Sequence, residues 1–391
     1  MEKLWNNNYK KVWAANFMLF FSFMLLTPLL PLYMSETFGA GKHLIGFILS
    51  GYTLTALIAR SFSGYMVDSF PRKVVLLSCY LLFSLLFAGY FFAGWSLLLF
   101  AVIRTLHGAP FGSATVANST VAIDVLHPTR RAEGIGYYGL SNNLATAISP
   151  SIGIYLYEMT GNYDLIFLLA LLCSICGFTI NSTLKLRPRE AVAEKQKMSL
   201  DRFFLLKGWS AGVSMACFSF SYGVLSTYLA IYGKEDLGIM EGTGLFFMIL
   251  SAGLIMSRLV GSRSLRKGKI TQNASIGILI SLVGYLLFAA LHNYWGYYGA
   301  ALIIGLGNGH MFPAFQNMFI NLAPNSQRGT ANSTLLTSWD IGIGLGILLG
   351  GSIVEMGGYH AAFWSAWIVN GAGVLFFFAY VRNSYLRNKL R

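Results

Sequence analysis

Apolar runs of about twenty residues, each long enough for a helix to cross a bilayer core, follow one another almost without pause along this chain, and basic residues gather at every second joint between them. A water-soluble fold cannot hide so many such runs at once. Only 11% of residues are charged while 55% are hydrophobic, which leaves too little polar surface to cover a soluble globule. In hydrocarbon the backbone must satisfy its own hydrogen bonds, so the choice is between helices and closed barrels. The runs are too long and alternate too weakly for barrel strands. The expected fold is an all-α integral membrane protein.

About twelve transmembrane helices are expected, near residues 12–34, 44–67, 74–94, 97–123, 135–157, 163–184, 207–232, 241–262, 270–291, 295–320, 330–354 and 360–381. An even number puts both termini on one side. Lys10, Lys11, Arg72, Lys73, Arg130, Arg131, Arg187, Arg189, Arg263, Arg266, Lys267, Arg328 and Arg387 fall on one set of joints, whereas the opposite joints carry Lys42 and Lys234. The excess of Lys and Arg marks the first set as cytoplasmic, which predicts a multi-pass inner (plasma) membrane protein with both termini in the cytoplasm. The formal charge of +13 is then a consequence of topology. With no basic helix or aromatic strand platform beside it, no nucleic-acid partner is expected. The first span is longer than a signal-peptide core and is followed by no small-residue cleavage site, so it is expected to remain as a helix.

The polar stretch from Lys185 to Asp201 reads as a cytoplasmic linker, residues 185–204, between an N-terminal bundle (1–184) and a C-terminal bundle (205–391). The two parts are repeats. Arg131, Asn143, Gly153 and Glu158-Met159 match Arg328, Asp340, Gly350 and Glu355-Met356 at a constant offset of 197, and Pro128, Tyr163 and Phe167 match Pro324, Tyr359 and Phe363 at 196. Two six-helix bundles related by a pseudo-twofold axis along the membrane normal are an architecture of secondary transporters, in which the solute binds near mid-membrane and one half rocks against the other.

Three segments resemble signatures of the major facilitator superfamily. Gly64-Tyr-Met-Val-Asp68-Ser-Phe-Pro-Arg72-Lys73 is similar to its G-x-x-x-D-x-x-G-R-K/R loop between the second and third helices, with Pro71 at the second Gly. Arg104-Thr-Leu-His107-Gly108 resembles the R-x-x-Q-G of its fourth helix. Pro150-Ser-Ile-Gly153, after Ser149, resembles the G-P-x-x-G core of its efflux antiporters, where the pair bends the fifth helix. The resemblance implies a secondary active transporter close to the drug and sugar efflux branch. It also implies a proton-handling role for Arg104 and a cavity lined by the first, fourth, seventh and tenth helices.

Physical chemistry gives several residues roles independently. Asp68 can accept hydrogen bonds from a neighbouring helix N-terminus or from a cation, forming a latch that must break when the cytoplasmic side opens; the gate set is Gly64, Asp68, Arg72 and Lys73 with Arg131 and Arg328. Asp340 lies twelve residues beyond Arg328, roughly 18 Å into the bilayer at the helical rise. A carboxylate at that depth must face a partner or a cavity, which makes it, with Arg104, the candidate proton-coupling pair. A structural carboxylate paired with Arg is the alternative. His107 and His310 read as packing residues, Arg60 and Arg258 as snorkelling anchors, and Asp124, Glu158 and Glu355 as helix-end residues.

The substrate cavity is expected to draw on Asn16, Phe20, His107, Phe111, Asn143, Phe218, Tyr222, Phe312, Phe315, Gln316, Asn317 and Trp339, a mix of rings and amides suited to an amphipathic molecule or a stacked sugar. Cys79, Cys173, Cys176 and Cys217 lie within spans and offer neither a disulfide framework nor a metal site. The glycine series 305–309 and 342–346 follows no strand, so it reads as helix packing and not as a phosphate loop. No cofactor and no metal are expected, and the protein is expected to act as a monomer. The favoured function is proton-coupled export of a small organic molecule: a drug, metabolite or sugar. Import of a sugar or organic acid is the alternative. A membrane-embedded enzyme or receptor stands furthest, because no paired catalytic or metal-ligand constellation shares one depth.

Overall fold

A computed structural model describes residues 4–186, 204–239, 243–324 and 327–390, and the described residues are helical almost throughout. Most of the expected linker falls outside them. The first crossing is made in two pieces, α1 (Asn7–Leu26) and α2 (Leu30–Phe38). Pro28 and Pro31 lack the amide donors that a continuous helix would need there. The Asn6 side chain caps α1 by accepting from the Tyr9 amide at 2.9 Å. There follow α3 (Lys42–Ser69), α4 (Arg72–Ala93), α5 (Leu97–Asp124), α6 (Arg131–Thr160) and α7 (Tyr163–Ser182) in the first half. The second half contains α8 (Trp209–Asp236), α9 (Thr243–Arg266), α10 (Ile270–Ala290), α11 (Tyr294–Leu322) and α12 (Arg328–Phe376), which runs on through a wider π-helical turn into α13 (Arg382–Asn388).

α12 holds two crossings. Its 49 residues would be about 74 Å long if straight, more than twice a hydrocarbon core. Gly358 breaks it, at φ 76° and ψ 179°, a backbone conformation open to glycine and costly for other residues. Seven helical segments, α1–α2, α3, α4, α5, α7, α10 and α12–α13, are long and apolar enough to span a membrane by composition alone. α6, α8, α9 and α11 complete the expected twelve. Polar residues on them bond to other helices: Asn142 of α6 accepts from Asn16, and Asn308 of α11 accepts from Ser281 at 3.3 Å.

The lipid face is the outward surface of both bundles. Leu81, Leu82 and Leu85 on α4, Leu168 and Leu172 on α7, and Leu279 and Val283 on α10 are exposed, as side chains in hydrocarbon should be. Exposed tryptophans stand at span ends, Trp5 and Trp209 at the starts of the two halves and Trp95 and Trp295 at the starts of α5 and α11, which is where interfacial anchors belong.

Within each half, helices pack through small residues, because lipid gives apolar faces no reason to associate. Gly108 and Gly112 of α5 lie against the backbone of Tyr52 and Ala56 on α3; Gly305 and Gly309 of α11 lie likewise against Leu250 and Leu254 on α9. The offset of 197 recurs here as a packing relation. Between the halves, α3 packs on α12 and α6 on α9. The repeat carries the second crossing onto the eighth and the eleventh onto the fifth, so exchanging the halves exchanges these seams. That is a twofold relation.

Candidate functional site at the seam between the halves

Arg60, Gly64 and Asp68 recur every fourth residue along α3 and therefore share one helix face, and that face meets the first turns of α12. The Arg60 guanidinium ion-pairs with Asp340 and donates to the Leu336 carbonyl at 3.2 Å, while the Arg60 carbonyl accepts from the Ser333 hydroxyl. Both charged residues are buried. One turn further, Gly64 brings the helices together: a Cβ there would stand 2.8 Å from Ser333 Cβ and 3.1 Å from the Gly329 carbonyl oxygen. Another turn on, Asp68 accepts from the amides of Gly329 at 3.3 Å and Thr330 at 3.2 Å and from the Thr330 hydroxyl at 3.4 Å. Its carboxylate thus caps the N-terminus of α12, whose dipole favours a negative charge there. Arg72, the first residue of α4, stands 3.5 Å from Asp68 and pairs with Asp124 at the end of α5, tying both helices to the seam.

The other gate candidates lie elsewhere. Lys73 donates to the Leu184 carbonyl at 2.8 Å, fastening α4 to the end of α7, and Arg131 donates to the Ile123 carbonyl at 3.3 Å. Arg328 is buried at the start of α12. Reading Arg60 and Arg258 as snorkelling anchors does not hold, since both are buried between helices. The Arg60-Gly64-Asp68 spacing was the signal for it: an arginine two turns from a glycine-flanked acid faces protein, not lipid.

Arg104 is buried on α5 without an ion pair among the described residues. Its guanidinium carbon lies 4.4 Å from the centre of the Tyr52 ring and 5.2 Å from that of Phe23, a cation–π arrangement that partly replaces hydration. Tyr52 is within electrostatic reach of both Arg104 and the Arg60–Asp340 pair, and its hydroxyl is buried without a hydrogen-bond partner among the described residues. His107 is enclosed by Phe83, Phe87 and Tyr90.

The cavity candidates separate into groups. Asn16 donates to Ser141 at 2.7 Å and accepts from Tyr138 at 2.6 Å, and Asn118 donates to the Tyr138 oxygen at 3.0 Å. Sequence reasoning passed over Tyr138 and Asn118. Phe20 meets Phe111 edge to face, and Phe111 stacks on Phe23 and lies tilted against Tyr52. In the second half, Trp339 meets Tyr222 and Phe312 at ring-centre distances of 5.8 and 5.5 Å, whereas Phe218 and Phe315 lie in the bundle core with Phe377. Gln316 donates to Asn332 at 3.0 Å and Asn332 to Ser119 of the other half at 2.9 Å. Among the described residues, Asn317 bonds only back to the Pro313 carbonyl, and the Asn143 amide nitrogen is buried without a partner. Gly153 lets α6 approach the Leu25 carbonyl, beside the break in the first crossing; at Pro150 one intrahelical donor is missing, and Ser149 bonds back to the Ala145 carbonyl at 2.6 Å.

Close packing continues at further points along both seams. A Cβ on Gly344 would lie 3.3 Å from Thr53 Cγ2, and one on Gly244 would lie 3.1 Å from Ser151 Oγ.

Comparison with known proteins follows the same lines. The profile described as Major Facilitator Superfamily matches residues 12–274 and 273–390. The staphylopine export protein of Staphylococcus aureus is 22% identical over 369 residues, covering 90% of this chain and 90% of that protein. The quinolone resistance protein NorA of the same species is 23% identical over 353 residues, covering 87% and 88%. The crystal structure of the transporter FucP in the outward conformation superimposes with a TM-score of 0.77 at 14% identity, covering 98% of this chain and 99% of that one.

Proposed function

Because this chain belongs to the Major Facilitator Superfamily, a family of membrane transporters, we propose that it moves a small organic molecule outward by alternating access, driven by protons entering in exchange. The observation that carries this reading is the Arg60–Asp340 pair buried in the seam between the halves. An ion pair inside a bilayer protein costs desolvation, and when it lies between bodies that must separate, opening the seam exposes or breaks it. Protonation of Asp340 removes one of the two charges and frees Arg60. Proton uptake is thereby linked to loosening of α3 from α12.

The Asp68 cap on α12, with Arg72 and Asp124 beside it, forms the gate on the basic side. That side is assigned to the cytoplasm, with both termini there and the protein in the plasma membrane, on the distribution of Lys and Arg. The halves are residues 1–184 and 205–391, joined by the cytoplasmic linker, and the protein works as a monomer. Asn16, Phe20, Phe111, Tyr222, Phe312 and Trp339 form the solute-facing walls once the seams part. Relatives named for staphylopine export and quinolone resistance support an organic cargo, and the first of them supports outward movement.

Proteoliposomes with an imposed pH gradient test the reading. Counterflow of labelled candidate solutes should accelerate with a gradient that drives protons against the solute, and Asp340→Asn should abolish concentrative transport while leaving exchange measurable. Full gradient-driven accumulation by Asp340→Asn would refute the proton assignment.

A further inference from the structure

The offset of 197 that relates the halves also relates the two seams, level by level. Gly64 and Ser333, which meet between α3 and α12, become Gly261 and Gly136 between α9 and α6. Where a Cβ on Gly64 would press on Ser333 Cβ at 2.8 Å, a Cβ on Gly136 would meet nothing within 4 Å. Both glycines line a cavity of about 10 Å³ whose accessible wall is almost wholly apolar. Deeper in the membrane, Asp340 of α12 becomes Asn143 of α6, a neutral side chain. The arginine is kept. Arg258, one residue past the counterpart of Arg60, is 6% exposed, and its guanidinium lies so close to α6 that a Cβ on Gly139 would be 2.8 Å from Nη2.

No carboxylate pairs with Arg258 among the described residues, and its Nε and Nη1 atoms are neither hydrogen-bonded to them nor accessible to water. A guanidinium stays protonated, so the closed seam holds a positive charge that no carboxylate there neutralises. Such a burial is costly in a membrane-spanning bundle, and the cost is relieved when α6 leaves α9 and water reaches the guanidinium. We propose that Arg258 is a wedge: its buried charge holds the basic-side closure of α6 on α9 close to the point of opening, while the Arg60–Asp340 pair keeps that side shut. The inference takes alternating access from the reading above and needs neither its protons nor its cargo, so the two fail separately. Where protons drive the cycle, neutralising Asp340 makes the first seam resemble the second. Each then holds a guanidinium that gains by hydration, and one proton suffices to open both.

Gly136→Cys places a reporter inside this seam, where its side chain has room, on a background in which Cys79, Cys173, Cys176 and Cys217 are replaced by alanine. Labelling by a membrane-impermeant maleimide, applied from the basic side of vesicles held without a pH gradient or cargo, reads how often α6 leaves α9. Arg258→Met keeps the aliphatic length and removes the charge; it should slow labelling several-fold and raise Tm. An arginine that holds the seam together predicts the reverse. Gly139→Asp sets a carboxylate against the guanidinium and should label more slowly, with a higher Tm, than Gly139→Asn, which matches it in size without the charge. Faster or unchanged labelling in Arg258→Met would overturn the proposal, and so would equal labelling of the two Gly139 variants. The Gly139 pair decides alone should Arg258→Met fail to fold.

Discussion

Arg60 and Asp340, 280 residues apart in the chain, pair inside the seam where the two halves meet. Removing one partner strands the other charge in a dry interface, which typically costs about 3–5 kcal/mol, whereas removing both with groups of similar size costs far less. Arg60→Met and Asp340→Asn should therefore each lower Tm more than the double substitution does. The cycle should return a coupling of about 2 kcal/mol or more. Additive losses would mean that the two side chains contribute separately.

Asp68 holds the first turn of α12 with two backbone amides and one hydroxyl. Asp68→Asn keeps the shape and an acceptor oxygen but removes the charge that meets the helix dipole and Arg72. A loss of about 1 kcal/mol should shift the balance toward states open on the basic side by roughly fivefold. Single cysteines placed on the facing surfaces of α3 and α12 should label correspondingly faster with a membrane-impermeant maleimide applied from that side. Unchanged labelling would separate Asp68 from gating.

The crossings, the repeat and an acid able to meet a neighbouring helix N-terminus were legible in the sequence because each is written as a period or an offset: apolar length, the 197-residue register, and the i, i+4 spacing of Gly64 and Asp68. Partner identity was not legible in the same way. Asp340 announced that it needed a partner or a cavity, but Arg60 read as a snorkelling anchor, and its true place depends on which face of α3 turns to α12. The family resemblance gave Arg104 a proton-handling role beside Asp340, whereas the structure places Arg60 on Asp340 and Arg104 on the rings of Tyr52 and Phe23. Rings are harder still to place, since Phe111 against Phe20 and Phe315 against Phe377 are indistinguishable by composition and lie in different environments.

Gly64 is fixed by contact, not by conformation. A methyl group there would press on Ser333 Cβ and on the backbone of Gly329 and Thr330, so α3 and α12 must separate by some tenths of an ångström, and Asp68 and Arg60 lose their alignment together. Gly64→Ala should impair transport and raise labelling on the basic side more than Asp68→Asn does. Ser333→Gly in the same chain should restore the closure only in part, because the backbone contacts remain. Wild-type transport by Gly64→Ala would show that the seam tolerates looser packing.

Asn16 joins the first crossing to α6 through Ser141 and Tyr138, with Asn118 of α5 completing the set. Asn16→Ala leaves buried partners unsatisfied at about 1–3 kcal/mol. If the network is structural, Tm falls and the KM for the cargo is unchanged. If Asn16 also faces solute when the halves part, KM rises as well, and Asn16→Asp, which preserves the acceptor from Tyr138, recovers stability better than cargo affinity. Measuring Tm and KM on both variants divides the two roles.

At the opposite face, His292 and His360 meet edge to face with ring centres 3.6 Å apart. His292 lies in the short connection between α10 and α11, and partial desolvation followed by the proximity of His360 holds its pKa below the usual histidine value, against weaker opposing contributions from the Ala289 backbone and Asp236. Between that lowered value and the ordinary one near 6.5, the unfolded chain binds a proton that the folded chain does not. Stability from this pair is therefore complete above about pH 6.5 and is lost as pH falls through the window. Both rings are exposed, so the effect is modest. Tm should decline slightly between about pH 7 and pH 5, and His360→Gln should flatten the decline by removing the second charge. An equal slope in that variant would place the acid sensitivity elsewhere in the protein.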